Sequence, residues 1–290
     1  FLTISLFIQG AHGTLQFFTG EELEFFKTGH RISEFDFIYS GESVGIMRVF
    51  GSIGSPNSFA AYLVPLIILN LSLLMGFNHF NKVRLLAVVF GIMGLLLSFS
   101  RGGLISFGVS FFILLWLINK DRIIKFKNVK IVLLIVIIIA IPFFSTLTTR
   151  LSGFGDNAAM SRIPLMKVAL NMILEHPIIG VGANTFRNVI RSYTNSPELK
   201  GIYLHEVHNL YLLVFAESGV VGIIAFLWLL FSFFKEASPC TKQKQNSYIY
   251  QLGLGIQLGF VAAAIHMMVD IYNSYLLLSN LFVLASILTI

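Results

Sequence analysis

The chain has 290 residues, 56% hydrophobic and 12% charged, with 29 Phe, a net charge of +6 and a mean hydropathy of +0.82. Globular domains carry about twice that charged fraction, which excludes a water-wrapped single domain and with it a soluble basic nucleic-acid-binding protein. One cysteine, Cys240, leaves no disulfide framework and no multi-cysteine zinc site. In chain order, apolar stretches near the length of a membrane helix fall at residues 1–18, 59–77, 85–99, 102–118, 129–144, 210–234, 248–269 and 275–290. None alternates as a barrel strand does. The expected fold is all-α: a polytopic transmembrane protein of about eight membrane segments, one membrane domain over 1–290 with a helical outer-face loop at 145–209. Phe1 is not an initiator Met and opens inside an apolar stretch. The chain therefore reads as a fragment of a longer membrane protein, with spans upstream.

Charge in the short loops sets the orientation. Loops 78–84, 119–130 and 235–247 hold ten Lys and Arg against two acids, Asp121 and Glu236. The span list puts all three on one side, which is then cytoplasmic. The other side carries 19–58, with Glu21, Glu22, Glu24, Glu34, Asp36 and Glu42, and the long segment 145–209. In the latter, Ser161 is a candidate N-cap and Pro164 sits in the first turn. Lys167, Asn171 and Glu175 form a narrow polar stripe on an otherwise apolar helix, suited to the membrane interface or to packing on the spans. Pro177, Gly180 and Gly182 end it in HPIIGVG, and a short helix starts near Asn184. Gly253, Gly255 and Gly259 permit close helix approach.

Arg101, in LLLSFSRGGLISF, reads either as a turn arginine touching headgroups or as an anion clamp. In the second reading Gly102 and Gly103 admit a phosphate to the backbone and the guanidinium grips it bidentately. Arg162 opens the outer helix, where free N–H groups also favour anions; its plainer reading is a solvated arginine. Arg48 lies in a Gly/Ser/Pro/Asn loop with Asn57, just before a span. Arg187 and Arg191, at i, i+4, read as a wet helix face that could extend a basic patch. His208 stands where an outer loop enters a span, and an imidazole can take a hydroxyl proton near neutral pH. His205 is its nearest competitor. Glu217 falls on the opposite face of a straight helix from His208, so it bonds another span or lines a cavity. His266 and Asp270, at i, i+4, are spaced to bond each other. His205, Glu206 and His208 lack the spacing of HExxH, and no metal is expected.

Four segments in this order, RVFGSIGSPNSFAAYL, SFSRGGLISF, RIPLMKVALNMILEHPIIGVGANTF and HNLYLLVFAESGVVG, resemble the O-antigen ligase and polymerase superfamily of bacterial envelopes, from about Arg48 onward. Ten residues separate His208 from Gly219, similar to the family's His-to-Gly motif, and the closing HMMVD is also similar. Met166 departs conservatively from the family's Arg-x-x-x-Leu motif. The resemblance implies an all-helical, metal-independent glycosyltransferase without cofactor, active on the outer face of the bacterial plasma membrane. It would move a glycan from undecaprenyl pyrophosphate to an acceptor hydroxyl on a glycan, lipid or protein. His208 would be the base; Arg101 and Arg162, with Arg48, would bind the pyrophosphate; Glu217, Asn57, His266 and Asp270 would support them. No nucleic acid is expected as partner. Ligase and repeat-unit polymerase are not separated by sequence. A lipid-linked glycan transporter would favour inverted repeats and ionisable residues along several spans, and neither is visible.

Overall fold

The computed structural model describes residues 1–21, 37–38, 46–76, 81–120, 134, 137, 138, 141, 144, 162–194, 205–242 and 247–271. Among these the architecture is helical: α1 (Leu2–Thr19), α2 (Pro56–Gly76), α3 (Lys82–Leu97), α4 (Arg101–Lys120), α5 (Arg162–Glu175), α6 (Phe186–Val189), α7 (Leu210–Glu236), α8 (Ser238–Lys242) and α9 (Ser247–His266). A two-residue strand pair, β1 (Phe37–Ile38) and β2 (Ile46–Met47), runs antiparallel with Phe37 opposite Met47. The chain divides into two compact units. The first holds Phe1–Arg150, Phe234–His266 and Asn273–Ile290; the second holds Leu151–Phe233 and Met267–Tyr272.

In the first unit α2 is the central helix, apolar all round and almost wholly buried, as such a helix must be. Helices α1, α3, α4 and α9 pack on it. The glycines of α9 make the approach close, as expected from sequence. A Cβ on Gly255 would meet the Leu69 Cα at 2.9 Å, and one on Gly259 would lie 3.4 Å from the Pro65 carbonyl. Polar side chains tie the helices where no water competes: Ser72 Oγ donates to the Gln251 carbonyl at 2.7 Å, and Thr3 Oγ1 to Asn70 Oδ1 at 2.7 Å. Residues 46–55 are not a solvated loop. Val49 and Phe50 are fully buried, and Gln16 Oε1 accepts the N–H groups of both Phe50 and Gly51 at 3.0 Å.

The core of the second unit consists of Leu165, Val168, Ala169, Met172 and Ile173 of α5, Phe186 of α6, Ile190, Val207, and Ala216 of α7. The α5 set recurs at i, i+3, i+4, i+7, i+8, the spacing of one helix face.

Among the described residues four helices are long and apolar enough to cross a membrane: Pro56–Met75, Arg101–Ile118, Leu210–Lys242 and Tyr248–His266. They coincide with the expected 59–77, 102–118, 210–234 and 248–269. The expected 1–18 and 85–99 are the helices α1 and α3, which fall outside that set; α3 has 16 residues. Segment 129–144, bar single positions, and segment 275–290 lie outside the described residues, as do Ser161 and most of 19–45. One correction concerns 210–234, which is not a straight helix. Gly219 breaks it with φ 63°, ψ −164°, a region essentially restricted to glycine.

Candidate functional site

The first unit carries Arg48, Asn57, Arg101 and His266. Helix α3 ends at Ser98, and Phe99 turns the chain with φ 47°, an outlying value for a bulky residue. Ser100 then caps α4: its Oγ accepts the Gly103 N–H at 3.3 Å and its carbonyl the Leu104 N–H at 2.9 Å. Arg101 is the first residue of α4 and is half-buried. Arg48 is buried beneath this turn. Its Nε donates to the Ser98 carbonyl at 3.0 Å and its Nη2 to Asn57 Oδ1 at 3.0 Å. A cation there satisfies a carbonyl at a helix C-terminus and complements its dipole. Arg48 and Asn57 thus hold the SRGG turn in shape. His266, the last residue of α9, is buried.

The second unit gathers His208, Asp270, Arg162, His205, Glu206, Arg187 and Glu217. Asn209 is the N-cap of α7: its Oδ1 accepts the Leu212 N–H at 3.0 Å and its carbonyl the Leu213 N–H at 3.0 Å. His208 therefore stands one residue outside the helix, and the Leu210 N–H bonds the Met267 carbonyl at 2.9 Å. That bond brings the turn after α9 alongside, and His208 Nδ1 meets Asp270 Oδ1 at 3.1 Å. The carboxylate also accepts the Ile271 N–H at 2.8 Å. The i, i+4 pairing expected of His266 and Asp270 is corrected here. Helix α9 ends at His266, so helical register does not extend to Asp270, whose carboxylate pairs with an imidazole 62 positions upstream.

A carboxylate on Nδ1 favours the tautomer with the proton there, leaving Nε2 as the acceptor. The flanking groups are charged. Arg162 Nη1 donates to the Val269 carbonyl at 3.4 Å, next to Asp270. Arg187 Nε lies 3.7 Å from Glu206 Oε1; Arg187 and Arg191 are exposed, as a wet helix face has them. Burial, with His208 and Arg187 nearby, pushes the His205 imidazole below its ordinary value; Glu206 opposes this more weakly. Among the described residues no group of three His, Cys, Asp or Glu is arranged to hold a metal ion.

The described hydrogen bonds of Glu217 go to no other span. Its carboxylate accepts the N–H groups of Asn184 and Phe186, both at 2.9 Å, capping α6. Around it the break at Gly219 is filled by the HPIIGVG turn. Val181 and Gly182 donate to the carbonyls of Ala216 and Glu217 at 3.0 and 2.9 Å, and Val220 donates to the Pro177 carbonyl at 2.8 Å. The interrupted helix thereby recovers partners for its backbone, as a break at membrane depth requires. Sequence reasoning marked Gly180 and Gly219 separately and missed that they meet. It also missed Asn209, although Asn directly before an apolar helical run is an N-cap signature.

Residues 86–227, just under half of the chain, match the family model described as O-antigen ligase. The match takes in Arg101, Arg162 and His208 and bears out the resemblance read from the motifs. Over these residues the match supports membership of the O-antigen ligase superfamily, and with the apolar helices it points in general terms to an integral membrane protein of the ligase and polymerase type. No curated protein matches the chain.

Proposed function

We propose that this O-antigen ligase-type protein transfers a glycan from undecaprenyl pyrophosphate to an acceptor hydroxyl, without metal or cofactor, on the outer face of the bacterial plasma membrane. His208 Nε2 takes the proton of the acceptor hydroxyl. The freed oxygen attacks the anomeric carbon, and the bond from that carbon to the pyrophosphate oxygen breaks, its electron pair leaving with undecaprenyl pyrophosphate. Asp270 holds the imidazole through Nδ1 and stabilises the imidazolium that forms. Arg101 and Arg162 neutralise the charge growing on the leaving group, where preorganised cations act most strongly. Arg48 and Asn57 shape the turn that presents Arg101, and Glu217 holds the loop beside the His208 helix. The donor is already activated, so no nucleotide is consumed. Repeat-unit polymerisation is the same chemistry with a glycan acceptor.

The observation that carries this reading is the His208 Nδ1 to Asp270 Oδ1 contact of 3.1 Å, at the mouth of an apolar helix, with Arg162 bonded to the residue before Asp270. The test is transfer by purified full-length protein from lipid-linked glycan in the absence of ATP. Wild type transfers label to acceptor, His208→Ala does not, and His205→Ala retains most activity. Transfer by His208→Ala at the wild-type rate would overturn the assignment. Movement of labelled donor across the bilayer without transfer would make the protein a transporter.

A further inference from the structure

Helix α5 has three faces. One, through Leu165, Val168, Ala169, Met172 and Ile173, is buried in the second unit. A second is polar and exposed, with Lys167, Asn171 and Glu175. The third is apolar and exposed: Ile163, Met166, Leu170 and Leu174, at i, i+3, i+7, i+11, with Leu174 77% accessible. Water on both outer faces would leave this third stripe without a physical reason. The stripe leads into the turn after α5, where Ile178 and Ile179 are 65% and 75% accessible.

That turn is bonded by main chain to the second half of α7. The Val220 N–H reaches the Pro177 carbonyl, and the Val221 N–H reaches the Ile178 carbonyl at 3.5 Å. From there α7 carries its own exposed apolar stripe, Val220, Val221, Ile224, Leu227, Trp228 and Phe231, on a helix long and apolar enough to cross a membrane. Exposed apolar side chains thus continue from α5 through the turn onto a membrane-length helix. Contiguous exposed apolar surface of this kind marks a protein or membrane interaction site.

From this continuity we infer that the third face of α5 and the Ile178–Ile179 turn are seated in the acyl chains of the outer leaflet. Helix α5 floats at the interface with Lys167, Asn171 and Glu175 toward water, and the PIIG turn is a wedge that enters hydrocarbon at the α7 break. Residues 220–236 rise about 25 Å, close to the roughly 30 Å hydrocarbon thickness. This puts Gly219 near its outer edge. His208, eleven residues before Gly219, then lies up to about 16 Å from the break, at or beyond the outer limit of a headgroup layer roughly 5–8 Å deep. Helix α5 would in this way set the height of the imidazole relative to a lipid-borne pyrophosphate.

Site-directed spin labelling of the full chain tests this. Single cysteines replace Met166, Leu170, Leu174, Ile178 or Ile179, and Lys167 or Asn171, in a Cys240→Ser background in proteoliposomes. Labels on the apolar face should collide with dissolved oxygen several-fold more readily than with a water-soluble nickel chelate, and the ratio should invert at 167 and 171. Free nickel access at 170, 174 and 178 would mean a water-facing surface and overturn the inference. Exclusion of both reagents would mean a protein partner or second copy and overturn it equally. All substituted side chains on the apolar face are exposed, so folding is not at stake, and retained transfer activity checks it.

Discussion

At the level of single residues, the His208–Asp270 pair makes the sharpest demands. A base of this kind contributes about 10²–10⁴-fold, so His208→Ala should lower turnover by that order while donor binding persists on the arginines. Asp270→Asn keeps size and a hydrogen-bonding group but offers no charge to the imidazolium, and its amide can select the wrong tautomer. Turnover should fall at least tenfold with KM little changed and with an altered pH–rate profile, whereas a merely structural aspartate would leave that profile alone. Arg101→Lys and Arg162→Lys keep charge and lose the planar fork; each should cut transfer, and two fully active lysine variants would refute the pyrophosphate role. His205 behaves differently. Its depressed pKa means that, as pH falls through about 6.5, the unfolded chain takes the proton before the native one. Stability at this group is therefore full above that pH and declines below it. His205→Gln should flatten the acid-side fall in Tm, measured in detergent between pH 7 and pH 5. The histidine and both arginines were legible in the sequence because each sits in a motif at an element boundary. The partner of Asp270 was not, because a contact across 62 positions leaves no local periodicity.

At the level of elements, the instructive case is α7. Its sequence, LYLLVFAESGVVGIIAFLWLLF, reads as one apolar run, and nothing local distinguishes Gly219 from Gly222. The break depends on a turn 40 positions upstream. A Cβ on Gly219 would overlap the Ile178 carbonyl, and one on Gly180 would overlap the Glu217 carbonyl. Both glycines also have positive φ. Gly219→Ala should therefore cost about 1–3 kcal/mol from backbone strain alone, plus the displacement of the turn. The outcome is read as a lower Tm and aggregation on size exclusion, with Gly108→Ala in α4, where an added Cβ meets nothing within 4 Å, as the helical comparison. Glu217→Ala removes the acceptor of two N–H groups and should cost about 1–2 kcal/mol, discounted for the exposed Asn184. Helix α5 was legible almost to its ends, because a face spaced at i, i+3, i+4 and the Pro177 stop are local signals. Helix α6 starts two residues after the expected Asn184, since Asn184 itself has φ 58° and cannot be helical.

At the level of the whole molecule, topology rests on the distribution of charge, because hydrophobic helices carry no sign of direction. The second half of α7 leaves the apolar run at Lys235, and α8 follows with Cys240 and Lys242. With Lys244 this makes a basic, short loop of the kind retained in the cytoplasm. The other end of α7 carries Asn209, His208 and the second unit. If lysines set the orientation, the two ends of one helix lie on opposite sides of the membrane. Cys240 is a free thiol of intermediate exposure, so the native chain carries its own reporter. In intact spheroplasts Cys240 should resist a membrane-impermeant maleimide and react after permeabilisation. In a Cys240→Ser chain, Asn188→Cys, exposed on α6, should react without permeabilisation. Labelling of Cys240 from outside would invert the molecule. It would put His208 on the side where the basic loops are expected and leave an outward-facing donor beyond its reach. The opposite result, with Asn188→Cys labelled and Cys240 protected, places the histidine, its aspartate and Arg162 on the outer face, as the proposed transfer requires.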